Sequence, residues 1–201
     1  MRLKTLLIAV AVTVALAVYA PMSFAGSNLV NNGSFETGDF TGWTTGGNFE
    51  DTEVVSGAFY VYTGAEDGNF YAVLGPVSSD GSISQTIADT SGAHYTLSFW
   101  LAGAGDDPSD FSAMWNGTTL LSLTDPNTGG VWTQYSFNVT GTGSDTITFN
   151  FRDDPAYIAL DNVSLSGSTT TTGTVPEPSS LLLLGSGVLG VGAMIRRKLG
   201  R

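Results

Sequence analysis

The chain has 201 residues, of which 18 are acidic, 7 are basic and none is cysteine, and its formal net charge is −11 at pH 7. Residues 26–167 are more acidic still, because they hold 17 acids and a single base, Arg152, for a formal charge of −16. This charge excludes nucleic acid as a partner, since phosphates are neutralised by Lys and Arg, and it favours cations such as Ca²⁺. The lack of cysteine excludes a fold held by disulfides.

The N-terminus has the parts of a secretory signal peptide. Arg2 and Lys4 give a positive start, residues 6–18 are apolar, and Ser23-Phe24-Ala25 is a small-x-small cleavage site. We therefore predict an exported protein whose residues 1–25 are removed by cleavage after Ala25.

Residues 26–167 are predicted to form one β-domain, with a length that suits a single core. Apolar stretches are separated by Gly, Asn, Asp and Ser, and no window longer than a turn has a helical period. This spacing favours a β-sandwich or barrel. In the first half the predicted strands are residues 28–30, 49–55, 59–62, 70–74 and 82–87.

The second half has the clearest two-residue alternation, which places one face of each strand in a core and the other outside. Two antiparallel sheets packed together are typical of this pattern. The predicted core faces are Tyr95, Leu97, Phe99 and Leu101; Tyr135, Phe137 and Val139; and Ile147, Phe149 and Phe151.

The last predicted strand, residues 157–165, breaks this alternation. Leu160 and Val163 are an odd number of residues apart, so both can point inward only if the strand has an extra residue near Asp161 and Asn162. We therefore predict a β-bulge that redirects the side chain of Asp161.

The two ends of the body resemble galactose-binding-like jelly rolls, which include many carbohydrate-binding modules of polysaccharide-degrading enzymes. The resemblance rests on an opening Asn28-Leu29-Val30-Asn31-Asn32-Gly33-Ser34-Phe35-Glu36, then Gly42-Trp43, and a closing Ile158-Ala159-Leu160-Asp161-Asn162-Val163-Ser164-Leu165. The Tyr-x-Leu-x-Phe-Trp strand at residues 95–100 adds to it in the middle of the body. It implies an all-β jelly-roll sandwich of two antiparallel sheets, with its first and last strands adjacent.

The same resemblance implies a structural Ca²⁺ at these adjacent ends. By position, its side-chain ligands would be Glu36 and Asp161, with backbone carbonyls completing the oxygen shell. The alternative is that both residues are exposed acids at strand ends.

A sugar site needs an aromatic platform with polar groups beside it. The alternation places Trp100 on a face opposite the core, with Gln134, Asn150 and Arg152 on the corresponding faces of other strands. We take these four residues as the candidate carbohydrate site, and Trp43, Trp115 and Trp132 as weaker candidates. The alternatives are that the tryptophans fill the core and that Arg152 pairs with a nearby acid.

An enzymatic function has little support in the sequence. His94 is the only histidine, and no Gly-x-Ser-x-Gly motif accompanies it, so neither a hydrolytic triad nor zinc chemistry is indicated. We expect a non-catalytic protein in which His94 is a turn residue.

The C-terminus follows a Ser/Thr-rich linker at residues 168–175, which is typical of a flexible tether. Residues 176–201 resemble the PEP-CTERM sorting signal of exported proteins from Gram-negative bacteria that make exopolysaccharide. The three parts of that signal are Pro176-Glu177-Pro178, an apolar helix at residues 181–195, and the basic cluster Arg196-Arg197-Lys198. The alternative is a plain C-terminal anchor.

This resemblance implies an inner-membrane helix with its basic end in the cytoplasm. An exosortase-type membrane protease would cut near Pro176-Glu177-Pro178 and release the body to the cell surface or extracellular matrix. The function expected from both resemblances is binding of extracellular polysaccharide. A structural protein of the surface or biofilm matrix without a sugar site is the alternative, and a hydrolase has the least support.

Overall fold

The computed structural model describes residues 27–167. These residues form ten β-strands: β1 (Thr44–Gly47), β2 (Thr52–Ser56), β3 (Phe70–Leu74), β4 (Gly81–Ala88), β5 (His94–Ala102), β6 (Ser109–Trp115), β7 (Thr118–Thr124), β8 (Thr133–Thr140), β9 (Ser144–Asp153) and β10 (Ile158–Gly167). Within this part of the chain, no helix has the length and apolar character needed to cross a membrane. The predicted signal peptide, linker and C-terminal helix lie outside the described residues.

The ten strands make two antiparallel sheets of five strands each. The first sheet has the order β1-β4-β9-β6-β7, and the second has the order β2-β3-β10-β5-β8. Most neighbours are distant in sequence, as in β9, which pairs with β4 on one side and β6 on the other. The predicted all-β sandwich is therefore confirmed.

The core lies between the sheets and is built from the predicted apolar faces. The aromatic ring of Phe99 from the second sheet meets that of Phe149 from the first edge to face, with ring centroids 5.0 Å apart. Burial of each such side chain stabilises the fold by about 1.5–3 kcal/mol, so the alternating strands account for most of the core. The fully buried members of these faces are Leu97, Phe99, Leu101, Ile147, Phe149 and Phe151.

The predicted bulge in β10 is present. Pairing between β10 and β5 shifts register between Asp161 and Ser164, and Asn162 has a left-handed backbone with φ of 47°. Leu160 and Val163 are both fully buried, as the odd spacing required. Asp161 is the register partner of Trp100, and both lie on the face of the sheet that points away from the main core. The carboxylate of Asp161 therefore projects away from that core.

The N-terminal segment lies beside β10, although residues 28–30 do not form the predicted strand. Leu29 N–H donates to Leu165 O at 3.0 Å, and Val163 N–H donates to Gly33 O at 2.9 Å. Gly33 passes so close to β10 that a Cβ built on it would stand 2.0 Å from Val163 O. The two ends of the body are thus adjacent, held by a few bonds instead of a ladder.

Two further strand predictions differ from the structure. Residues 59–62 form a tight turn, because Phe59 and Tyr62 exchange backbone hydrogen bonds of 3.1 and 2.9 Å. The predicted strand at residues 49–55 begins later, as β2 at Thr52, and β1 at residues 44–47 has too little apolar character to be detected in the sequence.

The long connection between β2 and β3 covers the outer face of the second sheet. Its apolar side chains pack on residues of β3, β5 and β10 and form a second, smaller hydrophobic cluster. We call this cluster the outer aromatic cluster; its aromatic members are Phe59, Tyr62, Tyr71, Trp132 and Tyr157.

Candidate functional site

The two predicted cation ligands both hold the end of the β2–β3 connection. Asp161 Oδ2 accepts hydrogen bonds from the backbone N–H groups of Glu66 at 2.8 Å and Asp67 at 3.0 Å. Asp161 Oδ1 accepts from the N–H of Asn162 at 2.7 Å. The carboxylate is therefore bonded on both oxygens and ties the connection to the bulge.

Glu36 holds the same connection a few residues further on. Its Oε1 accepts from the backbone N–H groups of Asn69 at 2.7 Å and Phe70 at 2.8 Å. Gly68 is needed here, because its φ is 70° and a Cβ would stand 2.4 Å from the Glu36 carboxyl group. The structure thus brings Glu36 and Asp161 to one loop, and their role as Ca²⁺ ligands stays a prediction.

The environment of Asp161 is unfavourable for a bare negative charge. The residue is 0% exposed, and burial raises its pKa to about 7 despite the three N–H bonds, which lower it. The neighbouring carboxylate of Glu66 raises the pKa of Asp161 further. A cation at this loop would offset that cost.

The predicted carbohydrate set divides between the two sheets. Trp100 and Gln134 are paired positions of β5 and β8 and share the outer face of the second sheet. Asn150 and Arg152 lie on β9, in the first sheet. The four residues therefore do not share one surface, because sequence alternation defines a face of a strand and cannot say to which sheet that strand belongs.

The two polar members on β9 have partners of their own. Asn150 Nδ2 donates to Ser112 Oγ at 3.2 Å. Arg152 Nε donates to Asp154 Oδ2 at 2.9 Å, and its Nη2 contacts the same oxygen. The pairing of Arg152 with a neighbouring acid agrees with the alternative considered from the sequence.

The other tryptophans pack in hydrophobic clusters, and the histidine lies at the start of a strand. Trp43 and Trp115 are buried in the main core, and Trp132 packs in the outer aromatic cluster with its Nε1 donating to Gly64 O at 3.0 Å. His94 is exposed at the start of β5, with Nδ1 3.4 Å from Thr140 Oγ1.

The outer aromatic cluster is fixed by hydrogen bonds as well as ring contacts. Tyr62 Oη donates to Tyr157 O, and Tyr71 Oη donates to Gly57 O at 3.1 Å. The rings of Tyr62 and Trp132 are stacked with centroids 6.4 Å apart, and Tyr71 meets Trp132 edge to face at 5.7 Å. These contacts make the β2–β3 connection a rigid support.

Tyr60 is the aromatic residue that this support displays to solvent. It lies at the tip of the turn closed by Phe59 and Tyr62, has a φ of 52°, and is 55% exposed. Its ring centroid is 6.1 Å from that of Tyr157, which also meets Phe59 edge to face at 5.0 Å. We call Phe59, Tyr60 and Tyr157 the aromatic tip.

The polar group nearest to the aromatic tip is a carboxylate. The Oη of Tyr60 lies 3.4 and 3.5 Å from the two oxygens of Asp106, which is long for a hydrogen bond and leaves the hydroxyl able to bond elsewhere. Burial and the charges of Asp106 and Asp153 raise the pKa of Tyr60. An exposed ring with a hydroxyl and a carboxylate beside it can stack on a sugar ring and bond its hydroxyl groups.

Sequence reasoning missed Tyr60 because its apolar neighbours were interpreted as a strand. The signal in the sequence is that the stretch is short and is flanked by Gly57 and Gly64, both of which have positive φ in the structure. A run of four residues, three of them aromatic, between two such glycines is suited to a tight turn.

Comparison with known proteins gives one family match and several structural likenesses. Residues 174–198 match the model of the PEP-CTERM protein-sorting motif. A search of curated proteins finds no match.

The described fold is similar to that of several solved structures. One is a family 61 carbohydrate-binding module in complex with β-1,4-galactotriose, with a TM-score of 0.59 and 20% identity, covering 71% of this chain and 99% of the module. Another is the K1 cleaved adhesin domain of Lys-gingipain from Porphyromonas gingivalis, with a TM-score of 0.54, 17% identity, and coverage of 67% and 96%.

A third is the enzymatically active domain of tailspike protein 4 from bacteriophage CBA120, with a TM-score of 0.52 and 21% identity. The match covers 70% of this chain but only 21% of the tailspike chain. At these identities the likenesses establish the jelly-roll fold.

Proposed function

We propose that the protein is an exported, non-catalytic carbohydrate-binding protein of the cell surface or extracellular matrix, and that its glycan lies on the aromatic tip. The observation that carries the proposal is the exposed ring of Tyr60, displayed by a turn that the outer aromatic cluster holds rigid. A preformed aromatic platform loses little conformational freedom when it binds a ligand. The fold likeness to carbohydrate-binding modules supports the proposal.

The sorting motif supports the proposed route to that location. In this proposal the signal peptide is cut after Ala25, and residues 26–167 fold as one domain outside the inner membrane. Residues 168–175 tether the domain to the segment at 176–201. That segment anchors the chain until an exosortase-type protease cuts near Pro176-Glu177-Pro178, in a Gram-negative bacterium that makes exopolysaccharide.

A structural Ca²⁺ near Glu36 and Asp161 is part of the same proposal. Each carboxylate retains an oxygen with spare capacity, since Asp161 Oδ1 accepts one bond and Glu36 Oε2 accepts only a long bond of 3.4 Å from Asn69. Within residues 27–167 no three acidic or histidine side chains converge on one point. Backbone carbonyls or water would therefore complete the shell of a bound Ca²⁺.

Trp100 and Gln134 provide a second location for the glycan. Their side chains are neighbours on the outer face of the second sheet, and Trp100 is half-buried there. This surface lies on regular strands, whereas the aromatic tip lies on a turn.

Affinity electrophoresis through gels that contain soluble polysaccharides tests both locations in one experiment. We expect Tyr60→Ala to abolish retention and Trp100→Ala to leave it unchanged, while Val77→Ala, at another exposed apolar position, serves as the control. Loss only in Trp100→Ala would move the site to the second sheet. If neither the parent protein nor any variant is retained on any glycan, the result would favour the alternative of a structural matrix protein.

A further inference from the structure

The surroundings of the aromatic tip are negatively charged on more than one side. Asp106 lies against the Tyr60 hydroxyl at 3.4 and 3.5 Å. Burial and the charges of Asp51, just before β2, and Glu53, within β2, raise the pKa of Tyr157. Carboxylates from two separate parts of the chain thus act electrostatically on the rings of the tip.

Within residues 27–167, no basic side chain offsets these charges. Arg152 is the only Lys or Arg in residues 26–167. Its guanidinium is committed to Asp154, whose carboxylate also accepts from the N–H of Ser78 at 3.0 Å. The charge at the tip is therefore available to a ligand.

Asp153 adds a buried carboxylate with one oxygen that lacks a hydrogen-bond partner. It is the last residue of β9 and is 1% exposed, and its Oδ1 has no hydrogen-bond partner among the described residues. Its charge raises the pKa of both Tyr60 and Tyr62, so it lies within electrostatic reach of the tip. A buried carboxylate with one unpaired oxygen is stabilised in its charged form by positive charge brought close to it.

The distribution of these groups distinguishes between kinds of positive ligand. No three acids converge on a point within residues 27–167, as they would in a compact metal site. Aromatic ring faces attract cations, and carboxylates spread around such rings attract ammonium groups carried along a chain. Anionic sugars such as uronates would meet only like charge here.

We propose that the aromatic tip selects polysaccharides that carry free, protonated amino groups, as in de-N-acetylated amino-sugar polymers, over neutral and anionic polysaccharides. This inference rests on the proposed carbohydrate-binding function and adds the ligand class to it. The sugar rings stack on Tyr60 and Tyr157. The ammonium groups lie near the carboxylate of Asp106 and within electrostatic reach of Asp153.

The test compares two forms of one polymer. The full chain, kept in mild detergent, is run through gels that contain glycol chitosan, the same polymer after N-acetylation, or polygalacturonate, at about physiological salt. We expect retention on glycol chitosan to exceed that on the acetylated form by at least about tenfold, and no retention on polygalacturonate.

Variants separate the tip from the overall charge of the body. Asp106→Asn is expected to weaken retention about five-fold, as removal of one charge near a cation does, and Tyr60→Ala to abolish it. Asp80→Asn removes the same charge from an exposed position before β4 and is expected to change nothing. Near-ultraviolet circular dichroism establishes that each variant keeps its aromatic packing.

Each other outcome overturns the inference in a recognisable way. Equal or stronger retention on the acetylated polymer would refute the preference for amines while leaving carbohydrate binding intact. Equal losses in Asp80→Asn and Asp106→Asn would attribute retention to net charge alone. An immobilised Lys-rich peptide serves as a further probe: retention on this peptide and on no glycan would indicate a protein partner. Retention on none of the probes would refute the proposed function itself.

Discussion

Asp153 offers the sharpest test of how the fold carries its excess negative charge. Burial, followed by the charge of Asp106, raises its pKa from 3.8 to about 7, although the N–H of Ala156 lowers it. We therefore predict that Asp153→Asn stabilises the body at about pH 8. The asparagine side chain has nearly the same shape and can still accept from Ala156, but it carries no charge.

The magnitude follows from proton linkage. Because the pKa of Asp153 is higher in the folded state, the folded protein binds more protons than the unfolded chain between about pH 4 and about pH 7. The free energy of unfolding therefore falls as pH rises through this interval and levels off above it. Each pKa unit is worth about 1.4 kcal/mol, so from about pH 5 to about pH 8 the parent protein should lose about 2–3 kcal/mol through Asp153.

Urea unfolding of residues 26–167 at both pH values, followed by tryptophan fluorescence, measures this loss. The parent protein should lose more stability than Asp153→Asn between the two pH values, by about 2–3 kcal/mol. Asp107→Asn, which removes a charge from an exposed position, should keep the parent slope. The reasoning is refuted if the slopes of the parent and of Asp153→Asn coincide.

Two further outcomes are expected. Chelation with EGTA should lower the Tm of the purified body and should have no effect on Asp161→Ala, as differential scanning calorimetry can show; an unchanged parent Tm would argue against a bound Ca²⁺. Gly33→Ala should destabilise the body by at least about 2 kcal/mol in urea unfolding, because its Cβ would stand 2.0 Å from Val163 O. Gly117→Ala is the control, since a Cβ at that position meets nothing within 4 Å. It should cost only the strain of its positive φ, about 1 kcal/mol. Equal losses in the two glycine variants would contradict the close approach of the N-terminal segment to β10.

The fold class could be predicted from the sequence because it depends on the local spacing of apolar residues. Side chains of a strand alternate between its faces, so the core faces around Phe99 and Phe149 follow from the spacing of apolar residues alone. The same rule located the bulge, since Leu160 and Val163 cannot both be buried without an extra residue. The sorting motif was likewise visible as a linear arrangement of residues.

The candidate site was only partly accessible to such reasoning. Glu36 and Asp161 were placed together by the resemblance, and the structure does bring them to one loop. Trp100 and Arg152 were grouped by alternation, yet their strands belong to different sheets. Strand order depends on pairing between distant segments, and local patterns do not encode it.

The residues themselves determine that the body is acidic, that it lacks disulfides and that it is built of alternating strands, and they carry a sorting motif at residues 174–198. Only the tertiary structure decides that the β2–β3 connection folds over the second sheet and displays Tyr60. It also decides that Asp153 ends β9 inside the fold without a donor for its Oδ1. The physical reason is that exposure and charge environment are properties of neighbours in space, which the chain acquires when its sheets close around a core.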